Sequence, residues 1–298
     1  MKKLSVIAVA ALVTMSAVSN TYALAGVGFH WGFDYSMGME DVPREAIKLG
    51  DAGFTVGGFT LSSDSLFYVS RMDWKSSPIN FGGKLYVDII PFIETIEFSC
   101  NFGLWQYNGS LHVLDPEATA GTITTENPTP TYKYGEPIPL TLKNTGLGYI
   151  GLTGTPYAKL QLDATIRKTI LNLWLIKFSA GAGVSAHFAT PLLSSKIVES
   201  ALNTDINEST IADLADPSSA VAKDAAKKIV QEIIDEALGK PAMGAHILLG
   251  VKAKLPVVPI GIYVDGKYML PLSKFDKDAG DGINGFGLLV NAGISLSL

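Results

Sequence analysis

The stretch NGFGLLVNAGISLSL (residues 284–298) decides the fold. From Phe286 onward every second residue is apolar, ending in Ile294, Leu296 and Leu298, and the residues between them are small or polar except Leu289. Successive side chains of a strand point to opposite faces, so this pattern predicts a strand with one apolar and one polar face. The apolar face needs cover, either from protein or from lipid.

The same alternation recurs along the chain. Together with the last segment it predicts eight strands of about 9 to 15 residues, longer than the ~5–6 residues usual in soluble proteins. A weaker pair at 53–61 and 66–74 predicts either a hairpin above the barrel or two more spanning strands, which would make ten. The seven further alternating segments are 26–39, 79–89, 96–104, 157–167, 174–188, 245–255 and 260–270.

The connections between these strands alternate in length. Short links at 91–92, 171–172 and 256–259 are separated by long ones at about 40–78, 108–146, 190–243 and 271–284. Transmembrane barrels of bacteria have short periplasmic turns and longer external loops. We therefore predict an all-β fold, an antiparallel up-and-down transmembrane β-barrel with external loops and both termini periplasmic.

The polar face carries charges of both signs at mid-strand, which suits a barrel interior of paired ions. Alternation also fits a soluble secreted barrel with its apolar face inward around an apolar ligand, and this alternative stays open. The predicted barrel-interior polar residues are His30, Asp34, Lys84, Asp88, Glu97, Lys159, Asp163, Arg167, Lys177, His187, His246, Lys252, Lys254, Asp265 and Lys267.

The first residues have the pattern of a secretory signal. Lys2 and Lys3 precede an apolar run from Leu4 to Val13, which is too short to span a membrane, and Ala23-Leu24-Ala25 fits a signal-peptidase site. We predict a signal peptide at 1–25 and a mature barrel at 26–298. The formal charge of −5 argues against nucleic acid as a partner, and a single cysteine excludes an intrachain disulfide framework.

The final eight residues fit polar-x-Gly-x-x-apolar-x-apolar, with Asn291, Gly293, Leu296 and Leu298 at the defining positions. This resembles the C-terminal insertion signal of bacterial outer-membrane β-barrel proteins, although that family more often ends in an aromatic residue than in leucine. The resemblance implies a place in the outer membrane of a Gram-negative cell envelope. It also implies outer-membrane lipid as a partner, with the secretion and barrel assembly machinery acting during biogenesis.

The long segment 194–241 changes to helical periodicity. Asp216-Pro217 is a good helix start, and apolar residues recur about every four positions from Val221 to Leu238. We predict helices in this external loop. They would pack over the barrel mouth, act as a lid or docking element, or lie in the membrane interface.

A barrel of eight strands has an interior just wide enough for side chains to fill, which makes a wide porin improbable. The leading prediction is a non-enzymatic envelope protein with a structural or surface-interaction role, without catalytic residues, cofactor or metal. One alternative is a narrow channel or transporter for small or apolar solutes. Another is an outer-membrane hydrolase that uses an interior histidine: His30, His187 or His246.

Overall fold

The structure is a computed structural model of the 298-residue chain. The predicted signal peptide lies outside the described residues except for Ala25, which begins the first strand. None of the helices that can be described is long and apolar enough to cross a membrane. The described residues are 25–35, 41–48, 54–56, 59–87, 95–126, 129–141, 153–173, 175–202, 208–235, 241–254, 258–273 and 287–297.

Antiparallel strands make up most of the described chain. Eight are long and four are short, and the short ones lie at one end of the molecule. The strands are β1 (Ala25–Asp34), β2 (Val42–Ile47), β3 (Phe54–Val56), β4 (Phe59–Leu61), β5 (Phe67–Val87), β6 (Thr95–Val113), β7 (Ile138–Pro139), β8 (Thr155–Leu173), β9 (Ile176–Ala189), β10 (Ala242–Lys254), β11 (Ile260–Pro271) and β12 (Leu288–Ser297).

The eight long strands close into a barrel. Their order is β5-β1-β12-β11-β10-β9-β8-β6, and β6 pairs back with β5. The first and last strands are neighbours, with pairs that run from Gly26↔Ser297 to Asp34↔Leu289. In the described residues each of these eight strands has a paired neighbour on both sides, which is what a sheet in lipid requires.

The count of long strands is eight because the weaker pair of segments adds no separate spanning strands. The segment 66–74 is, from Phe67 onward, the beginning of β5, which continues to Val87 through two irregularities in its pairing with β6. The segment 53–61 instead contains the small β3–β4 hairpin, which forms a separate two-stranded sheet. Neither alternative from the sequence is correct, because in the described residues 53–61 and 66–74 do not pair with each other as a hairpin and do not add two spanning strands.

The apolar face of the barrel points outward. Along β1 the side chains of Phe29, Trp31 and Phe33 are 69%, 68% and 63% exposed, whereas His30 between them is 3% exposed. Such a continuous apolar surface is far larger than a soluble monomer exposes to water, and lipid is its natural cover. The alternative of a soluble barrel with an inward apolar face is therefore wrong.

Strand β6 shows where the barrel leaves the lipid. Its inward residues are polar from Glu97 to Asn101 and then become apolar, from Trp105 to Val113. Its outward residues change in the opposite sense, from the apolar positions of 96–104 to the polar positions of 106–112. Both changes occur near residue 104. Beyond this residue the outer face of β6 carries polar side chains, and its inner face joins a hydrophobic core.

That core belongs to a compact unit, here called the cap, at the end of the barrel opposite the short turns. The cap contains β2, β7, the upper parts of β5 and β6, and four helices. The helices are α1 (Pro116–Ala120), α2 (Ser195–Leu202), α3 (Glu208–Ala215) and α4 (Ala220–Asp235). Fully buried members of the core include Ile47, Leu66, Phe67, Leu111, Leu114, Leu192, Leu193, Val198, Ile211, Ile229 and Ile233.

The predicted helices of 194–241 are present, and the described residues of this segment form three of them. Helix α4 packs against α2 and α3 and buries Ile229 and Ile233. It begins at Ala220 instead of Pro217, because Asp216 binds the backbone N–H of Ser218 in a turn and the hydroxyl of Ser219 accepts from the N–H of Ala222. Ser219 is thus the N-cap that sequence reasoning assigned to Asp216.

Candidate functional site: the barrel interior

Six charged side chains in the lower half of the barrel form what we call the ion cluster. The ammonium of Lys84 lies 3.3 Å from Glu97 Oε2 and 2.6 Å from Asp265 Oδ2. The guanidinium of Arg167 binds the same two carboxylates, with its Nη1 3.0 Å from Glu97 and its Nη2 on Asp265. These residues come from β5, β6, β8 and β11, so the contacts cross the barrel and tie opposite walls together.

Lys267 extends the cluster upward. Its ammonium lies 2.7 Å from Asp163 Oδ2 and 3.9 Å from Glu97, and it donates to Ser99 at 2.6 Å. The amide of Gln161 donates to both oxygens of Asp163.

The ion cluster is electrically balanced, since three cations (Lys84, Arg167 and Lys267) meet three carboxylates. Charges buried as deeply as these, at 0–12% side-chain exposure, are tolerated only when they are paired and hydrogen-bonded. A glycine next to the cluster leaves space for these contacts. A Cβ at Gly250 would collide with the Asp265 carboxylate, so glycine leaves room for the Arg167 contact.

A second level of the interior is closed by aromatic rings. We call Trp74, Trp105, Tyr107 and Tyr157 the aromatic floor of the cap, since their ring centroids lie 5.6–6.5 Å apart. Trp105 is 3% exposed, and its indole lies against Gly103, where any Cβ would overlap the ring. Just below this floor Lys159 binds Asp34 at 2.9 Å.

The three interior histidines lie between these levels. His30 contacts the Tyr263 hydroxyl at 2.8 Å and the Asn101 oxygen at 2.6 Å, and His246 contacts Ser185 and Thr165, each at 2.8 Å. His187 is fully buried. Ser185 next to His246 has the residue types of a nucleophile and base, but both are at most 2% exposed, so a substrate in solvent does not reach them. The geometry argues against a hydrolase based on these histidines.

Most of the predicted interior residues are where the alternation placed them, on the inward face. Lys177, Lys252 and Lys254 are half-buried and lie at the mouth of the barrel next to the short turns. Asp88 lies outside the described residues. Among the residues that can be described, no group of histidine, cysteine and carboxylate side chains is placed to hold a metal ion.

Three residues of the predicted insertion signal, Asn291, Gly293 and Leu296, lie in β12. The amide of Asn291 points inward and donates to Asn101 Oδ1 at 2.9 Å, and Gly293 allows close contact with the backbone of β1 at Phe29. Leu296 faces outward. Leu298 lies outside the described residues.

Several inward residues that hold the interior together were missed by the sequence reasoning. Tyr263 contacts His30 and lies 3.4 Å, ring centroid to Nζ, from the ammonium of Lys84. It has the same strand phase as Asp265 and Lys267, so the alternation itself could have placed it inside. Asn101 was missed for a similar reason, because attention went to charged residues.

The cap holds one titratable group of interest above the lipid-facing part of β6. His112 Nε2 lies 2.8 Å from the Ser70 hydroxyl. Burial, with the nearby positive charge of Arg44 as a second cause, lowers the pKa of His112 below its ordinary value. The neutral imidazole is therefore the form that the folded cap favours.

Comparisons with known proteins give a structural neighbour but no sequence family. No family model matches the sequence, and no curated protein matches it. A solved structure that matches is the outer membrane protease OmpT from Escherichia coli, which is 11% identical, with 95% of this chain and 100% of that chain covered and a TM-score of 0.32.

The prediction that this chain is not an enzyme is contradicted by that neighbour, which is a protease, and we do not retain it. Protease activity is a property of OmpT. The closed eight-stranded antiparallel barrel, with lipid-facing apolar side chains outside and paired charges inside, has the architecture of a bacterial outer-membrane β-barrel protein.

Proposed function

We propose that this protein is a closed outer-membrane anchor that presents the cap at the cell surface as an interaction module. The observation that carries the proposal is that the barrel interior is filled while the cap has its own hydrophobic core. The ion cluster and the aromatic floor occupy two successive levels of the interior. Because the cap is an ordered unit above a filled barrel, it is the part of the molecule that a partner can reach.

The segment that leads into the helices of the cap is held by specific contacts to β2 and to the upper parts of β5 and β6, and these two strands continue from the barrel wall. Tyr107 accepts a hydrogen bond from the backbone N–H of Leu193 at 2.9 Å, and Arg71 donates to the carbonyl of the same residue at 3.1 Å. Glu45 on β2 accepts from the N–H and hydroxyl of Ser195 at the start of α2. These contacts orient the helices relative to the barrel axis.

The proposed topology has the cap external, the short turns and both termini periplasmic, and residues 1–25 removed as a signal peptide. Outer-membrane lipid covers the apolar face, and the secretion and barrel assembly machinery act during biogenesis. The pattern of short periplasmic turns and long external loops in bacterial barrels supports this direction.

Labelling of intact cells tests the topology. Cys100 is changed to serine, and a single cysteine is then introduced in the cap by Lys227→Cys or near a short turn by Asn172→Cys; both positions are exposed. A membrane-impermeant maleimide should label the first variant in intact cells and the second only after the outer membrane is opened. The reverse labelling pattern would show that the cap is periplasmic and would refute surface presentation.

Electrical recording tests the competing narrow channel. Purified protein in planar lipid bilayers should show no discrete conductance steps, because the ion cluster and the aromatic floor occupy the barrel interior at two levels. A general porin recorded under the same conditions is the positive control. Reproducible steps at moderate voltage would favour the channel over the filled anchor.

A further inference from the structure

The outward face of the upper parts of β5 and β6 brings a serine and a histidine together. Ser70 pairs directly with Ser110, and His112 follows two residues later on the same face of β6. Diagonal neighbours of this kind on an antiparallel pair are close enough for their side chains to interact. The Ser70 hydroxyl lies 2.8 Å from His112 Nε2. We call Ser70 and His112 the dyad.

The protonation state of the dyad suits a nucleophile. Burial and the charge of Arg44 favour the neutral form of His112. With the ring proton on Nδ1, Nε2 accepts the hydroxyl proton of Ser70. A serine hydroxyl becomes a nucleophile when a neutral imidazole within hydrogen-bond reach removes its proton.

The position of the dyad differs from that of the interior pair Ser185 and His246. That pair has the same residue types but lies inside the closed barrel. In the dyad the serine is 5% exposed and the histidine is half-buried, and both lie on the outer surface of the cap. A substrate can therefore approach the dyad without entering the barrel.

A cation lies next to the dyad. Arg44 on β2 packs its guanidinium 4.9 Å from the ring centroid of Tyr134 and 5.9 Å from that of Tyr68. Tyr68 is in turn the residue directly opposite His112 in the pairing of β5 with β6. A cation held next to a nucleophile stabilises the negative charge that develops on a carbonyl oxygen during attack.

We propose that the dyad cleaves carboxylic esters at the surface of the cap. His112 Nε2 takes the hydroxyl proton as Ser70 Oγ bonds to the carbonyl carbon, and this proton passes to the leaving alcohol when its C–O bond breaks. Water that gives a proton to His112 then attacks the acyl-serine. This second step releases the carboxylic acid and restores both side chains, with Arg44 next to the oxyanion in both steps.

The height of the dyad above the lipid indicates a soluble ester as the substrate. Ser70 pairs with Ser110, which lies six residues beyond the end of the lipid-facing part of β6 at residue 104. At about 3.4 Å per residue and a strand tilt of about 40°, the dyad lies roughly 15 Å above the hydrocarbon. The acyl ester bonds of membrane lipids lie at the edge of the hydrocarbon, so they do not reach the dyad. The activity does not depend on which side of the membrane the cap occupies.

Covalent labelling of the purified protein tests the dyad. The full-length mature protein is refolded in octyl glucoside and treated with a fluorophosphonate, which bonds to an activated serine with loss of fluoride. We expect an adduct on Ser70, located by peptide mass spectrometry, and catalytic release of 4-nitrophenol from 4-nitrophenyl acetate. Ser70→Ala should abolish both reactions, and His112→Asn should slow them at least about 100-fold. Arg44→Gln should slow ester hydrolysis at least about tenfold.

The matched control is Ser110→Ala, which removes the hydroxyl opposite Ser70 on the same face and should react like the unaltered protein. Heat-dependent mobility in electrophoresis shows that each variant is a folded barrel. Absence of an adduct on Ser70 in the unaltered protein would overturn the proposal. So would ester hydrolysis at an unchanged rate in folded Ser70→Ala or His112→Asn, or an equal loss in the control.

Vesicles of phosphatidylglycerol test the choice of a soluble ester. They should release no fatty acid under conditions in which 4-nitrophenyl acetate is hydrolysed. Release of fatty acid at a comparable rate, lost in Ser70→Ala, would overturn the assignment to soluble esters.

Discussion

Replacement of Lys267 by methionine should destabilise the barrel more than any single surface change. Lys267 is 1% exposed, and its ammonium binds Asp163 at 2.7 Å and Ser99 at 2.6 Å. Methionine keeps most of the side-chain volume but removes the charge. Asp163 would then remain buried, with Gln161 and Ser99 as neutral donors.

The expected loss follows from the geometry. At 2.7 Å and an effective dielectric constant of about 20, one ion pair is worth roughly 6 kcal/mol of direct attraction. Partial compensation by the neutral donors and by relaxation reduces this, and loss of one partner of a buried pair typically costs about 3–5 kcal/mol. The double variant Lys267→Met/Asp163→Leu should recover most of the loss, because no unpaired charge remains.

The assay is urea unfolding of protein refolded into lipid vesicles, followed by tryptophan fluorescence and by heat-dependent mobility. The free energy of unfolding of the single variant should fall by about 3–5 kcal/mol relative to the unaltered protein. A loss below about 1 kcal/mol, which is typical of exposed pairs, would mean that the interior is hydrated. It would refute the filled barrel and with it the argument against a channel.

Three further changes test other parts of the molecule. Gly103→Ala should lower the free energy of unfolding by about 1–3 kcal/mol in the same urea assay, because the new Cβ would overlap the indole ring of Trp105. Gly266→Ala should be nearly neutral, because its Cβ would meet only a carbonyl oxygen at 3.9 Å. Similar losses in the two variants would contradict this packing. Ile229 is fully buried, so Ile229→Ala should destabilise the cap by about 2–5 kcal/mol. Limited proteolysis should then cleave the cap faster, while the barrel keeps its heat-dependent mobility. Loss of the barrel itself would show that cap and barrel do not fold separately. Burial lowers the pKa of His112 in the folded cap. The stability that the neutral imidazole contributes is therefore complete above the unfolded pKa of about 6.5 and is lost as the pH falls through the lower folded pKa. Limited proteolysis of the cap over a pH series should show this loss, and His112→Asn should remove the pH dependence.

Sequence reasoning went furthest where the physics is local. Alternation has a period of two, so each strand reports which residues share a face, and Lys84, Glu97 and Asp265 were placed inside on that ground alone. It failed on β6, whose last third was taken for a loop. There the inward face becomes apolar at Trp105 and the outward face becomes polar at Gln106. The two-residue period continues, but the apolar side chains now lie on the inward face and the polar ones on the outward face.

The sequence by itself determined the strands, their two faces, the barrel class and a helical segment at 194–241. Only the tertiary structure decided that eight strands close, because the continuity of β5 through residue 74 depends on pairing with β6. Only it decided which charges meet: Lys84 and Asp265 are 181 residues apart, and their contact depends on register and on barrel radius. Long-range pairing is set by closure of the whole sheet, which no local pattern encodes.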